Sequence, residues 1–261
     1  MREFLPPNPA LQKLRAQEQC TGTFIFSSDP SITEIIGLSG FDVGIIDLEH
    51  ATTSLAMLPG QARAAHAGGM SWWIRVGTIS PEPIARSLDA GAQGIILPHF
   101  GLDMEASMLG LRALSYAPDG IRPSCTGTRA SGYGQDFGSY ARRSNDEVFG
   151  IGLIEDAEVV DRIEEVFDTT GIGIVLPGGA GDLATSLGVH GQGNHPRVLA
   201  AIERVHRAAK ARPHMRIGAY VSDLSSLPAL RELGFDFYIY SIDYKVLAAA
   251  YHSVYKAITE R

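Results

Sequence analysis

Apolar residues form short runs of four to seven residues, separated by longer segments in which apolar positions recur with helical spacing. The run Val43 to Ile46 contains no polar residue. Such runs predict strands that are covered on both faces, as in a parallel sheet. We therefore predict eight strands, at residues 23–26, 43–46, 72–76, 94–97, 148–154, 172–176, 216–221 and 235–240.

Helices are predicted between these strands and at both ends of the chain. Cap and stop residues place them at 8–18, 31–38, 53–67, from Pro81 or Pro83 to Asp89, and at 103–114, 157–167, 194–211, 224–233 and 244–259. Strands alternating with helices over this length predict one domain, 1–261, with a (β/α)8 TIM barrel fold and an extra N-terminal helix. The alternative is an open eight-stranded sheet. It would require a glycine-rich phosphate loop after the first strand, and Ser27-Ser-Asp-Pro30 is not one.

Polar residues follow several of the predicted strands directly. The run Val43 to Ile46 leads into Asp47, Glu49 and His50, and the third strand ends near Arg75. The carboxyl ends of barrel strands form one rim, and active sites of this fold lie there. The sequence therefore predicts that these acidic, imidazole and guanidinium groups belong to one site, although each alone also has a purely structural explanation.

Two further carboxylates follow the fifth and sixth predicted strands. Glu155 and Asp182 are separated by 27 positions, which suits one strand–helix–strand step. Both side chains would then reach one ion. Two carboxylates with water suit Mg²⁺ or Mn²⁺ better than Zn²⁺. The glycines before Asp182 would allow backbone N–H groups to approach a substrate carboxylate.

Composition narrows the class of function. The net charge is −7 and no basic block occurs, which argues against nucleic acid or a membrane surface as a partner. No apolar run approaches the ~20 residues of a transmembrane helix. Cys20 and Cys125 lack the spacing of metal ligands or a disulfide framework, and the N-terminus lacks a signal-peptide core. We expect a cytoplasmic protein. The glycine-rich stretch 115–138 is long for a loop, and such loops are often functional.

A series of short motifs, taken in their order along the chain, resembles the HpcH/HpaI aldolases. These are metal-dependent class II pyruvate aldolases of the phosphoenolpyruvate/pyruvate barrel superfamily. The resemblance covers residues 22–247. The motifs are Ser28-Asp-Pro30, Gly40-Phe-Asp42, Asp47-Leu-Glu-His50, Ile74-Arg75, Leu88-Asp-Ala-Gly-Ala-Gln93, Gly120-Ile-Arg122, Asn145-Asp-Glu147, Ile154-Glu155, Gly181-Asp-Leu183 and His195-Pro196.

The resemblance implies a role for each matching residue. Glu155 and Asp182 match the ligands of a divalent cation (Mg²⁺, Mn²⁺ or Co²⁺). His50 matches the general base, with Asp47 as its near neighbour. Asp89 matches an acid that raises the basicity of this histidine. In one alternative, the acid and the histidine belong to different subunits.

Arg75 matches the arginine that binds the keto-acid oxygen and stabilises the enolate, and Gly181 matches a backbone contact to the substrate carboxylate. The implied reaction makes or cleaves a carbon–carbon bond between pyruvate and an aldehyde, as in retro-aldol cleavage of 4-hydroxy-2-oxo acids. The implied partners are these small molecules and further copies of the chain, with a hexamer in which the final helix packs on a neighbour.

The chain also departs from the family pattern. Leu153 replaces a Gln that contacts substrate, and Gly179-Ala-Gly-Asp182 replaces Gly-Pro-Ala-Asp. Every lysine is predicted to lie in a helix rather than at a strand end, which argues against Schiff-base chemistry. Two alternatives remain open: another lyase of the superfamily, such as a 2-oxo acid decarboxylase or a CoA-ester lyase, and a non-catalytic barrel that binds a keto acid.

Overall fold

A closed barrel of eight parallel strands forms the centre of the computed structural model, which describes residues 8–178 and 181–260. The strands follow one another around the barrel in chain order, which confirms the predicted (β/α)8 architecture. Their bounds are β1 Cys20–Ile25, β2 Val43–Asp47, β3 Ser71–Arg75, β4 Gly94–Leu97, β5 Phe149–Ile154, β6 Ile174–Pro177, β7 Arg216–Val221 and β8 Phe237–Ile242.

Helices connect successive strands across the outside of the barrel. Most begin with a proline or an acidic residue in the first turn, as helix N-termini favour. Their bounds are α1 Pro9–Ala16, α2 Pro30–Leu38, α3 Leu58–Ala67, α4 Pro81–Asp89, α5 Met104–Arg112, α6 Phe137–Glu147, α7 Ala157–Asp161, α8 Ile163–Thr170, α9 Asp182–Ser186, α10 Pro196–Lys210, α11 Leu227–Leu233 and α12 Asp243–Thr259.

Large side chains fill the interior of the barrel. The Trp73 indole is fully buried and packs edge-on against Phe149 and Phe237, at centroid distances of 5.3 and 6.1 Å. Glycine at position 218 leaves room for this packing, since a Cβ there would lie 2.2 Å from the Phe237 ring. A filled interior means that a ligand can enter only at an end of the barrel.

The amino-terminal end of the barrel is closed by the extra helix α1. The Asn8 side chain caps this helix by accepting from Leu11 N at 3.1 Å. Its amide group donates to the carbonyls of Gln93 and Glu147, at 3.1 and 2.9 Å, just before β4 and β5 begin. Only the carboxyl ends of the strands therefore remain open for chemistry.

The structure differs from the predicted elements in several places. Helix α6 was not predicted, because it contains few apolar residues and only Tyr140 and Ser144 in it are buried. The short helix α9 was not predicted either, β1 begins three residues earlier than predicted, and β6 begins two residues later. The predicted helix 157–167 is interrupted at Arg162, whose guanidinium donates to the carbonyls of Gly101 and Leu102 at 2.7 and 3.0 Å. Strand β8 begins two residues later than predicted. Asp236 precedes it and accepts from Ile217 N at 2.8 Å.

Helix α12 has an unusual environment for an element of 17 residues. Asp243 is its one buried residue, while seven large apolar or aromatic side chains are exposed: Tyr244, Val246, Leu247, Tyr251, Val254, Tyr255 and Ile258. No helix of the described chain is both long enough and apolar enough to cross a membrane. The surface of α12 is therefore the largest apolar helical surface that this chain leaves uncovered among the helices described here.

Candidate active site at the carboxyl ends of the strands

A cleft opens where the strands end. It combines polar groups with an apolar wall, as small-molecule sites do. The polar side chains come from β3, β5 and the segments after β6, β7 and β8: Arg75, Glu155, Asp182, Ser222 and Lys245. The remaining lining residues are Phe24, Phe26, Leu153, Leu176, Pro177, Gly178, Gly181, Tyr220 and Ile242.

Asp47 organises one side of this site from a fully buried position at the end of β2. Its Oδ1 accepts from the backbone N–H groups of Glu49 and His50, both at 2.8 Å. Its Oδ2 accepts from Arg75 Nε at 2.7 Å and also from Nη2. One carboxylate therefore fixes the turn that carries His50 and the guanidinium opposite it. Asp47 contacts the His50 backbone rather than the imidazole, so its geometry is that of a positioning residue.

Arg75 is held in place from several directions. It pairs with Asp47 along the β2–β3 ladder, and its Nε lies 3.3 Å from Glu49 Oε2. The Phe24 ring packs against the guanidinium at 5.0 Å from its centroid. The side chain is only 9% exposed, yet it lines the cleft. Its charge is thus fixed at the cleft wall with little freedom to reorient, which suits binding of an oxygen anion.

Glu155 and Asp182 lie on the same cleft, as the sequence predicted. Glu155 is buried and its Oε1 accepts from His99 N at 2.9 Å. Burial raises the pKa of Glu155 to about 7, and the negative charges of Glu49 and Asp182 add to this effect. Asp182 begins α9 and is partly exposed. Gly181 precedes it and also lines the cleft. Gly179 and Ala180 lie outside the described residues.

The His50 imidazole lies beside these carboxylates. Its Nε2 is 3.8 Å from Asp182 Oδ2 and 3.7 Å from Glu49 Oε2. Half of the side chain is exposed, so a substrate has access to the ring. The structure therefore brings together six of the seven predicted residues: Asp47, His50, Arg75, Glu155, Gly181 and Asp182.

Asp89 lies elsewhere. It ends α4 just before β4 begins, at the closed end of the barrel. Its Oδ1 accepts from Arg122 Nη2 at 2.9 Å, and its carbonyl accepts from Ala130 N at 3.1 Å. Within one chain, Asp89 is therefore not a neighbour of His50. Its predicted effect on this histidine would require a second copy of the chain.

Two groups of the site have no individual role predicted from the sequence, although Glu49 was placed at the site together with Asp47 and His50. Glu49 lies between Arg75 and His50, its pKa is raised by burial, and its Oε2 is buried without a hydrogen-bond partner. His99 Nδ1 lies 3.0 Å from Asp156 Oδ2 and 3.8 Å from Glu155 Oε1. Burial alone lowers the pKa of His99, but Asp156 and Glu155 raise it overall. Both residues directly follow strand ends, which is the signal that would have identified them.

Lys245 requires a correction of the sequence analysis. It lies in helix α12, as predicted, but only three residues after β8 ends, and it lines the cleft. Position along the barrel rim, rather than helix membership, decides whether a side chain reaches the site. Leu153 also lines the cleft and contributes an apolar surface there.

The side chains present fit a hard divalent cation. The described residues contain no group of three or more histidine, cysteine or acidic side chains that could hold a metal ion, so a cation here would also need water or substrate as ligands. Glu155 and Asp182 supply two carboxylates, and Glu49 Oε2 is a buried acidic oxygen without a hydrogen bond. A cation of the Mg²⁺ type accepts one or two carboxylates and completes its shell with water and substrate.

The closed parallel barrel and the acidic, imidazole and guanidinium groups at its carboxyl rim define a (β/α)8-barrel enzyme. The family model described as HpcH/HpaI aldolase/citrate lyase matches residues 20–250, and the chain belongs to this family. A hydroxypyruvate/pyruvate aldolase from Sagittula stellata is 33% identical, over 76% of this chain and 77% of the relative. A 5-keto-4-deoxy-D-glucarate aldolase from Escherichia coli K12 is 32% identical, over 78% and 79%.

Solved structures give the same assignment. An HpcH/HpaI aldolase from Desulfitobacterium hafniense superposes with a TM-score of 0.88 at 26% identity, covering 96% of both chains. A protein of the HpcH/HpaI aldolase/citrate lyase family from Burkholderia cenocepacia also gives 0.88, at 28% identity, covering 96% of this chain and 99% of its own.

The raised pKa of Glu155 predicts a pH-dependent stability. Its pKa is 4.5 when exposed and about 7 in the folded protein. Below pH 4.5 the group is protonated in both states. As the pH rises through the window from 4.5 to 7, the unfolded chain releases the proton first, so the folded state loses stability, by about 3 kcal/mol in total. We expect Glu155→Gln to raise the free energy of unfolding of chelator-treated protein at pH 8, and to raise it much less at pH 5.

Urea unfolding at the two pH values measures this difference. Glu82→Gln, which removes a carboxylate exposed on α4 and paired with Arg86, is the matched control. An equal effect of Glu155→Gln at both pH values would show that Glu155 keeps an ordinary pKa in the folded protein.

Proposed function

We propose that this protein is a metal-dependent aldolase that makes or cleaves the carbon–carbon bond between pyruvate and an aldehyde. Arg75, Glu155 and Asp182 line one cleft, and His50 Nε2 lies 3.8 Å from Asp182 Oδ2; this arrangement carries the proposal. Membership of the HpcH/HpaI family supports a carbon–carbon lyase, and the similar proteins include enzymes named pyruvate and 5-keto-4-deoxy-D-glucarate aldolases. Retro-aldol cleavage of a 4-hydroxy-2-oxo acid is the corresponding breakdown reaction.

Glu155 and Asp182 would hold the divalent cation, Mg²⁺, Mn²⁺ or Co²⁺, through their carboxylates. When bound, the cation supplies Lewis-acid polarisation of the keto group of the 2-oxo acid. Gly181 would contribute its backbone N–H to the substrate carboxylate, at the position immediately before α9. The small substrate thus lies between an acidic wall and the guanidinium of Arg75.

Arg75 would stabilise the oxyanion of the enolate. Asp47 and Glu49 hold its guanidinium on the cleft wall, so the positive charge is in place before negative charge develops on the substrate. Such preorganisation costs little rearrangement during the reaction and is a major source of catalysis. Asp47 therefore contributes by positioning Arg75 and the turn of His50.

His50 would remove the proton from C3 of pyruvate and return it in the cleavage direction. Its half-exposed imidazole lies next to Asp182. The Nε2 atom is therefore close to the carboxylates that would hold the cation, and so to the 2-oxo acid that the cation would bind. A neutral imidazole is the form that acts as a base near neutral pH. Asp89 of a neighbouring copy would raise the basicity of this ring.

The carboxylates of the cation site provide the first functional test. Glu155→Ala and Asp182→Ala should each abolish metal-dependent pyruvate release from 4-hydroxy-2-oxo acids, because each leaves one carboxylate for the cation. Pyruvate is measured with a coupled dehydrogenase, with and without added metal. Glu158→Ala, an acidic residue exposed on α7, is the control and should retain activity. Full activity of either site variant, or of wild-type protein in excess EDTA, would refute the mechanism.

The proton transfer is tested separately from the carbon–carbon bond. His50→Ala should slow exchange of the pyruvate C3 protons with D₂O by about 100-fold or more, the contribution typical of a positioned general base. Proton NMR measures this exchange, and calorimetry with Mn²⁺ should show nearly unchanged metal affinity. His66→Ala, an exposed histidine on α3, is the control. Unchanged exchange in His50→Ala would remove His50 as the base.

We also propose that the chain forms a homo-oligomer, a hexamer in the family arrangement, in which α12 packs on a neighbour. The exposed aromatic and aliphatic side chains of α12 support this, because apolar surface of this extent is favourable to bury. An oligomer would also give Asp89 a route to the His50 of another copy. We propose that residues 1–261 form one domain. We also propose a cytoplasmic location, since Cys20 and Cys125 are both free thiols.

Charges on α12 should weaken this assembly. We expect the double variant Tyr251→Glu and Tyr255→Glu to have a lower molar mass by light scattering, because two carboxylates would have to be buried at the contact. Gln12→Glu on α1 adds a charge at an exposed position away from α12 and should leave the mass unchanged. An unchanged mass of the double variant would exclude this face of α12 from the interface.

A further inference from the structure

Lys245 is a cation of the cleft that the catalytic scheme above does not use. It is the third residue of α12 and lines the cleft together with Ser222, which follows β7. The Lys245 side chain is exposed. Among the residues that the structure describes, it has no ion pair or hydrogen bond, and it is one of the two cationic residues that line the cleft, with Arg75.

The helix gives no local reason for a cation at this position. The amino-terminal turn of a helix carries a partial positive charge, which disfavours Lys and Arg there. Asp243 in the same turn does not compensate Lys245, because its carboxylate accepts from the N–H groups of Phe26, Ser27 and Tyr244 at 3.0, 2.9 and 2.7 Å. Lys245 therefore has no anionic protein partner among the described residues and can bind an anion that enters the cleft.

The order of the strands divides the cleft into two sides. The groups assigned to the 2-oxo acid run from Arg75 at the end of β3 through Glu155 after β5 to Asp182 after β6. The next two polar side chains around the rim are Ser222 and Lys245, after β7 and β8. Arg75 is held by Asp47 and Glu49 and is assigned to the enolate, whereas Lys245 has no role in that scheme and remains available for a second charged group.

We propose that Lys245, assisted by the Ser222 hydroxyl, binds an anionic group on the aldehyde, or on the matching end of the 4-hydroxy-2-oxo acid. The substrate class is thus an aldehyde with a carboxylate or a phosphate. This inference rests on the proposed aldolase function and specifies its acceptor. An ammonium group binds either anion as a point charge, so the experiment separates the two sources.

The test compares kcat/KM for three aldehydes with pyruvate as donor: glyoxylate, glyceraldehyde 3-phosphate and uncharged propanal. Wild-type protein should prefer one of the anionic aldehydes. Lys245→Met keeps the apolar stem and should lower kcat/KM for that aldehyde by about tenfold or more, as for a lost hydrogen bond to a charged group. Its kcat/KM for propanal should change little. Lys245→Arg keeps the charge and should retain most of the preference.

Two controls separate this effect from general changes of charge or fold. Lys210→Met removes a lysine from the last turn of α10, which is paired with Asp236 just before β8 and lies away from the cleft, and should leave all three kcat/KM values unchanged. Addition of 0.5 M salt, about five times the ionic strength at which the Debye length is ~10 Å, should reduce the wild-type preference and affect Lys245→Met less.

Three results would overturn the inference. The first is an unchanged anion preference in Lys245→Met, or no preference in wild-type protein. The second is an equal rise of KM for pyruvate with every aldehyde, which would place Lys245 at the 2-oxo acid. The third is a pyruvate adduct on Lys245 that is trapped by borohydride reduction, which would make it a Schiff-base lysine. Exchange of pyruvate C3 protons reports on the proposed function independently: its absence in wild-type protein refutes the aldolase, whereas its presence confines the failure to Lys245.

Discussion

The buried carboxylate of Asp47 is the contact on which the site depends. A buried charge is costly unless its hydrogen-bonding capacity is met, and here two backbone N–H groups and a guanidinium meet it. The same contact fixes two functional groups relative to each other: His50 through its main chain, and Arg75 through its side chain. The adjacent β2 and β3 ladder supplies a rigid base for both. Removing this acid would leave a buried guanidinium with only Glu49 nearby.

The opposite side of the cleft has an excess of negative charge. Glu49 and Glu155 both have a raised pKa, with burial as the largest cause. The charge of Asp47 adds to this effect at Glu49, and the charges of Glu49 and Asp182 add to it at Glu155. Such an arrangement is unfavourable for the protein alone and favourable once a cation is bound, because the carboxylates then lose their mutual repulsion. Stability and function therefore place opposite demands on these residues, as is common at active sites.

The sequence predicted the barrel because its strands are almost purely apolar and its helices carry clear caps. It also predicted which strand ends carry chemistry, since a carboxylate or imidazole after an apolar run has no packing reason. The sequence could not predict features that depend on the spatial arrangement of side chains around the barrel rim. The buried oxygen of Glu49, the contacts of His99 with Asp156 and Glu155, and the position of Lys245 all follow from how strand ends are arranged around a circle. Likewise, Asp89 lies in a family motif, but only the fold shows that it is remote from His50 within one chain.

Asp243 has a consequence for how this protein can diversify. By binding the backbone at the end of β1, it anchors the beginning of α12 to the barrel, while the rest of the helix extends away from its own chain. The first turn is therefore fixed to the barrel, whereas the distal turns are exposed. Substitutions in the distal turns would then act on contacts with other copies of the chain, and substitutions at position 245 would act on the cleft. One helix thus carries residues suited to two different roles.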